Sequence, residues 1–279
     1  MINAEGKGLV STKYIGGPEV TPPRKQAAAL KRGTFDITMS PASYYIGMVP
    51  EGYAILVSTM DAAGIRKSGG FALLDAAHQK KANAKLLAWG ESQGAFNTYL
   101  AKKPKMLKGG GISLKGFKMR ATATYRPLFE FLKATPIGMK SSEIYTGLQR
   151  GVIQGFGSPS SGLIRIGVKG MVKYRIDPSY YHLNNLVIMN LGKWQALPKK
   201  AKNLLEKTAL SYEKKSDAFY RGISKKDEKE MMASGMKIIT LKGKAAKAYV
   251  NAADAAVWKR FEKIVGAATV AKYKAKFTN

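Results

Sequence analysis

Twice in this chain a run of good helix formers stops at an Arg-Gly pair and gives way to a short strand-like segment. In TPPRKQAAALKRGTFDITMS the prolines suit a helix start and Gly33 suits its stop, after which TFDITMS alternates as a strand would. KSSEIYTGLQRGVIQGFGSP repeats the layout, with Ser141 placed as N-cap, Glu143 in the first turn, Gly151 as terminator and VIQGF as strand. The echo is too short for a solenoid, so it suggests two lobes built from similar helix-then-strand pieces. AKLLAWG, FKMRATA and NNLVIMN add short apolar segments between helical stretches, the arrangement of an α/β protein.

From Pro198 onward the text turns helical and charged, and the spacing predicts one helix of about thirty residues with Gly235 near its stop. MKIITL reads as one more strand. In the tail, Tyr249, Val257, Trp258, Phe261 and Val265 recur at helical spacing, as a stripe packed on a core would. LKGGGISLKG, around Gly109 to Gly111, reads as a loop near a crossing between lobes.

Chemical machinery is scarce. The chain has no cysteine, which excludes disulfides, thiolate metal sites and cysteine nucleophiles and permits an oxidising compartment. Only His78 and His182 could serve as histidine bases or ligands, and both are read as packing or surface residues. GFGSPSSG lacks the spacing of a nucleophile elbow, and no G-K-[ST] follows the glycine run at P-loop distance. No apolar run reaches the roughly 18 residues of a membrane span. Lys and Arg total 47 against 18 Asp and Glu, a net charge of +29 that would draw anions toward the surface. No zinc-finger spacing, aromatic RNP-like strand or basic region feeding heptads accompanies that charge, so it reads as a solvated cationic surface.

One segment carries a specific signal. GFKMRATATYRPLFEFLKATPIGMKSSEIYTGLQRGVIQGFGSP presents Gly116, Lys118 and Arg120, then Pro136, then Glu143, Tyr145, Leu148, Gly151 and Gly155. This order resembles the central stretch of TRAP-type (tripartite ATP-independent periplasmic) solute-binding proteins of the dicarboxylate-binding family. The segments GGPEVTPPRKQAAALKRGTFDITMSPASYY and NNLVIMNLGKWQALPKKAKNLLEKTA resemble that family too, so the likeness runs from about residue 14 to about 235. The resemblance implies a two-lobed, periplasmic-binding-protein-like α/β fold with crossing strands and a long lobe-spanning helix. It places residues 1–100 and 187–232 in lobe I, and 101–186 and 233–279 in lobe II.

It further implies a receptor rather than an enzyme, without cofactor or metal. Such a receptor would take a small organic carboxylate between its lobes in the periplasm and pass it to TRAP permease subunits, with no nucleic-acid partner. Arg120 is then the anchor, since a planar guanidinium can grip a carboxylate with two hydrogen bonds where a lysine cannot. A charge-assisted hydrogen bond contributes roughly 1.5 to 3 kcal/mol and micromolar affinity requires about 8, so further groups must contribute. The resemblance proposes Phe156, Gly157, Ser158, Tyr44, Trp89 and Asn184. Three departures stand out. Phe96 replaces a second arginine common in relatives, and with Trp89 and Phe156 it points to an aromatic or apolar monocarboxylate. Gln154 stands where an aspartate is common. The family's signal peptide, first strand and first helix precede the segment matching STKYIGG, so an N-terminally truncated record is expected. The rival readings are a basic nucleic-acid-binding protein and a same-fold receptor serving a signalling system.

Overall fold

A computed structural model describes residues 1–6, 8–122 and 124–279. Its strands run in chain order β1 (Ile37–Pro41), β2 (Ala84–Gly90), β3 (Ala95–Leu100), β4 (Lys105–Met106), β5 (Ile112–Ser113) and β6 (Lys118–Ala121). There follow β7 (Thr135–Gly138), β8 (Gly155–Pro159), β9 (Tyr174–His182), β10 (Asn185–Asn190) and β11 (Lys237–Thr240). The chain divides into two compact units, one of Met1–Gln93, Leu183–Phe219 and Phe261–Asn279, the other of Gly94–His182 and Tyr220–Arg260.

In the first unit β10 is the middle strand of an antiparallel three-stranded sheet, flanked by β1 and β2. The apolar run of AKLLAWG makes β2 a strand buried along nearly its whole length. Asp75 of the helix Gly70–Ala82 ties that helix to β2 by accepting from the Leu86 N–H at 2.8 Å and from Lys85 Nζ at 2.7 Å. A small core of Leu87, Ala88, Met189, Leu205 and Ala209 packs between β2, β10 and the helix Lys199–Ala233.

The second unit is built on a six-stranded mixed sheet in the order β11-β9-β3-β8-β6-β7. β6 lies parallel to both β7 and β8, and β3 runs antiparallel to β8 and β9. Its core gathers Tyr99, Phe156, Ile144, Leu148, Ile153 and Met231. β4 and β5 form a separate two-stranded hairpin.

Most of the expected elements are present, with instructive differences. Both helix-then-strand units form, and Gly33 and Gly151 take the left-handed conformations, φ +81° and +67°, that end a helix. Ser141 is not the N-cap but the first residue of a 3-10 turn, and Glu143 reaches back to accept from the Lys140 N–H at 3.0 Å. VIQGF becomes a strand only from Gly155, because Ile153 turns into the core. FKMRATA yields β6, and its last residue, Ala123, lies outside the described residues. The long helix spans 35 residues, and the division between the units falls inside it, between Phe219 and Tyr220. The tail is two helices, Gly243–Val265 and Ala267–Phe277, separated at Gly266. Tyr249, Val257 and Phe261 of the predicted stripe are buried, while Trp258 and Val265 are half-buried.

Three placements depart from the reading of the sequence. LKGGGISLKG supplies the turn and second strand of the β4–β5 hairpin, wholly inside the second unit rather than at a crossing. β3, assigned by sequence to the first lobe, joins the second unit because β8 and β9 hydrogen-bond to its two edges. Residues 261–279, assigned to the second lobe, group with the first, where Phe261 meets Tyr53 and Tyr273, and the Phe277 carbonyl accepts from Thr59 N–H at 2.9 Å.

Candidate functional site

Arg120 is the penultimate residue of β6 and is 8% exposed. Its Nε donates to the carbonyl of Met139, just past the end of β7, at 3.1 Å. Its Nη1 donates to the hydroxyl of Tyr125, which caps the helix Arg126–Phe131 that follows β6. The guanidinium is thus held by segments leaving the carboxyl ends of two adjacent parallel strands, the edge where open α/β sheets gather ligands. Nη2 makes no hydrogen bond among the described residues.

What sets Arg120 apart is its lack of an acid. Arg175 on β9 is clasped by Asp177 through Nε at 2.9 Å and Nη2 at 3.0 Å, and by Glu228 at 2.5 Å. Those carboxylates keep it charged against the opposing effect of its burial. In the first unit Arg66 holds Glu213 two-pronged, with both contacts at 2.8 Å. No carboxylate among the described residues lies within ion-pair distance of Arg120. A buried cation with only a carbonyl and a phenol for company has lost hydration without gaining a counter-charge. An anionic ligand would supply it.

Around this guanidinium the second unit assembles an aromatic wall. The Tyr125 ring lies 6.0 Å from Phe96 and 5.8 Å from Phe129, and Phe96 lies 6.4 Å from Tyr180. Gly157 on β8 faces Tyr125 and Tyr180 so closely that a Cβ there would run into the Tyr180 hydroxyl and the Tyr125 ring. The Tyr180 hydroxyl is buried without a hydrogen-bond partner among the described residues. Burial, with the Tyr249 and Tyr125 phenols adding to it, holds that hydroxyl protonated far above the usual tyrosine range. It therefore stays a neutral donor. Ser158, half-buried, follows on β8.

Of the eight residues expected from sequence, the structure brings Arg120, Gly157, Ser158 and Phe96 into one neighbourhood. Phe156 belongs to the same unit, but its side chain is fully buried in the core and stacked on Tyr99 at 5.5 Å, so it offers a ligand no surface. Trp89, Tyr44 and Asn184 belong to the first unit. Trp89 is completely buried and donates from Nε1 to the Leu183 carbonyl at 2.7 Å, the bond of a core tryptophan. Asn184 is buried, and its side chain accepts from Ser43 Oγ at 3.4 Å. Tyr44 is half-buried beneath the Arg24 guanidinium, 5.2 Å from its ring centre.

Tyr125 and Tyr180 escaped the sequence reading. The signal for Tyr125 was its place in TYRP, directly before a proline-started helix; nothing local marked Tyr180. His78 is a buried packing residue, with Nδ1 2.8 Å from the Leu74 carbonyl and Nε2 3.1 Å from Tyr45 Oη. Desolvation lowers its pKa. Among the described residues no group of three or more acid or histidine side chains is placed to hold a metal ion, and no helix is long and apolar enough to cross a membrane.

The fold has counterparts among solved structures. A TRAP periplasmic solute-binding protein from Desulfovibrio desulfuricans, solved with bound sn-glycerol-3-phosphate, superposes with a TM-score of 0.83 at 17% identity, covering 99% of this chain and 88% of that one. Another from Rhodoferax ferrireducens, solved with bound malonate, gives 0.80 at 19% identity over 98% and 87% of the two chains. Both likenesses are of fold, and they match the α/β architecture expected from sequence. The C4-dicarboxylate-binding periplasmic protein DctP of Rhodobacter capsulatus is 27% identical over 142 residues, which is 51% of this chain and 41% of that protein, so the match spans less than half of the relative's length. The model of the DctP family, bacterial extracellular solute-binding protein family 7, matches residues 1–264, and the chain belongs to that family of receptors.

Proposed function

We infer that this chain is an extracytoplasmic receptor that takes a small organic carboxylate onto Arg120 and delivers it to the membrane permease of a TRAP transporter. The carrying observation is the contrast among its buried and half-buried arginines. Arg66 and Arg175 each hold a carboxylate of the chain itself, whereas Arg120 has none among the described residues. A solute carboxylate would complete that set, with two N–H groups in a plane matched to two oxygens.

The clustered rings of Phe96, Tyr125 and Tyr180 favour a ligand with an apolar or aromatic body over a second anionic end. Tyr180 offers one buried hydroxyl, enough for a single additional polar group on such a ligand. Family membership supports a periplasmic setting and a permease partner. A thermal-shift screen of mono- and dicarboxylates, aliphatic and aromatic, tests the reading. Stabilisation by one class of acid, abolished in Arg120→Ala, is expected. Stabilisation that survives Arg120→Ala would overturn the assignment, and a preference for dicarboxylates would overturn the apolar-monocarboxylate specificity.

A further inference from the structure

Between Glu91 and Glu130 the chain carries six lysines and two arginines and not one carboxylate. The lysines, Lys102, Lys103, Lys105, Lys108, Lys115 and Lys118, are all exposed on or beside the β4–β5 hairpin, and none forms an ion pair among the described residues. At the end of the same hairpin two apolar side chains stand in solvent, Met106 at 44% and Leu107 at 45% exposure. The hairpin that carries them is firmly anchored. Ile112 and Leu114 bury the base of the hairpin, the Leu114 N–H donates to the Leu132 carbonyl at 2.7 Å, and the Leu107 N–H closes the turn on the Gly111 carbonyl at 2.8 Å. Met106 pairs across the hairpin with Ile112.

We propose that this hairpin docks on an anionic phospholipid surface. A purely acidic partner, whether protein or nucleic acid, would satisfy the lysines but leave Met106 and Leu107 wet. A bilayer interface takes both: the apolar tip enters the headgroup–acyl boundary, and the flanking lysines lay their stems along it with their ammonium groups among the phosphates. Each lysine near such a surface contributes about a fivefold factor in partitioning, so the cluster suffices for weak, salt-sensitive, reversible binding. A receptor held loosely at the membrane would search for its partner in two dimensions rather than three.

The test uses the whole chain and vesicles of phosphatidylglycerol mixed with phosphatidylcholine, against vesicles of phosphatidylcholine alone. Co-sedimentation with the anionic vesicles only is expected. Lys103→Gln, Lys105→Gln and Lys108→Gln together should lower partitioning at least about tenfold, as should Met106→Asn with Leu107→Asn. A charge-matched control, Lys200→Gln, Lys207→Gln and Lys214→Gln on the helix Lys199–Ala233, should lower it much less. Leu107→Trp should be quenched by brominated acyl chains. Equal losses in the hairpin and control triples would show that net charge alone drives binding and would overturn the proposal. Absence of binding to anionic vesicles would do the same, as would binding with Leu107→Trp unquenched, the outcome for a partner that reads charge only. All substituted residues are exposed, and unchanged circular dichroism confirms that each variant is folded.

Discussion

The Arg120 guanidinium donates from Nη1 to the hydroxyl of Tyr125, five residues further on, and from Nε to the Met139 carbonyl, and meets no acid among the described residues. Two of its edges are oriented and its charge is left unanswered. Arg120→Lys should therefore cost at least about tenfold in carboxylate affinity, the equivalent of one charge-assisted hydrogen bond. The unliganded protein should lose little stability or gain some, because a buried, uncompensated cation becomes a flexible one. Isothermal titration with the acid found by screening, together with urea unfolding without ligand, separates the two effects. A large loss of stability in the empty protein would mark Arg120 as structural.

Tyr125→Phe keeps the ring against Phe96 and Phe129 and removes the acceptor for Nη1. Unfolding free energy should change by about 1 kcal/mol or less, because the guanidinium can rehydrate in part. Affinity for the carboxylate should fall several-fold, since the anchor is no longer held in its binding orientation. Equal affinity in the two proteins, measured by titration calorimetry, would leave Tyr125 with a packing role alone.

Arg120 was legible because its neighbours in sequence, Gly116, Lys118 and the distant Gly151 and Gly155, form an ordered pattern. Its isolation was not legible, since that depends on where the acids lie in space. Arg175 has Asp177 two residues on, on the same face of β9, but Glu228 reaches it from the helix Lys199–Ala233 only in the folded chain. Phe156 and Trp89 were misjudged for a related reason. Both lie in short apolar segments, and whether such a ring faces a core or a ligand depends on which face of the sheet is covered. AFNTYL was passed over as a strand because its inward and outward residues are both apolar or small, so no period of two shows; hydrogen bonding to β8 and β9 makes it one.

Glu213 is 5% exposed and accepts from Arg66 Nε and Nη2 and from the Trp89 backbone N–H at 2.9 Å. Glu213→Gln removes the charge that answers Arg66 and turns one acceptor toward donors. A loss of about 2 to 3 kcal/mol in unfolding free energy is expected, the range for breaking a largely buried pair after allowance for the partial exposure of Arg66. Chemical denaturation measures it. Because the pair lies in the first unit, carboxylate affinity at saturating folded fraction should be unchanged, which separates this damage from damage at Arg120.

Asp254, half-buried on the helix Gly243–Val265, carries no ion pair among the described residues, and desolvation lifts its pKa from 3.8 to about 6. Between those values the folded protein keeps a proton that the unfolded chain has released. Linkage then requires stability to fall as pH rises through that window and to remain lower above it. Asn imitates the protonated form, so Asp254→Asn should be the more stable protein at pH 7 and equal to the parent below about pH 4. Discounted for partial exposure, the gain at neutral pH is about 1 kcal/mol, or about 2 to 4 °C in melting temperature for a chain of this size. His78, whose pKa is lowered by burial, pulls the other way, since its contribution is lost as pH falls below 6.5. It does so equally in both proteins and cancels from their difference. Thermal melts of the pair from pH 4 to pH 8 read that difference directly, and a gap that fails to open between pH 4 and pH 6 would place the Asp254 carboxylate in water.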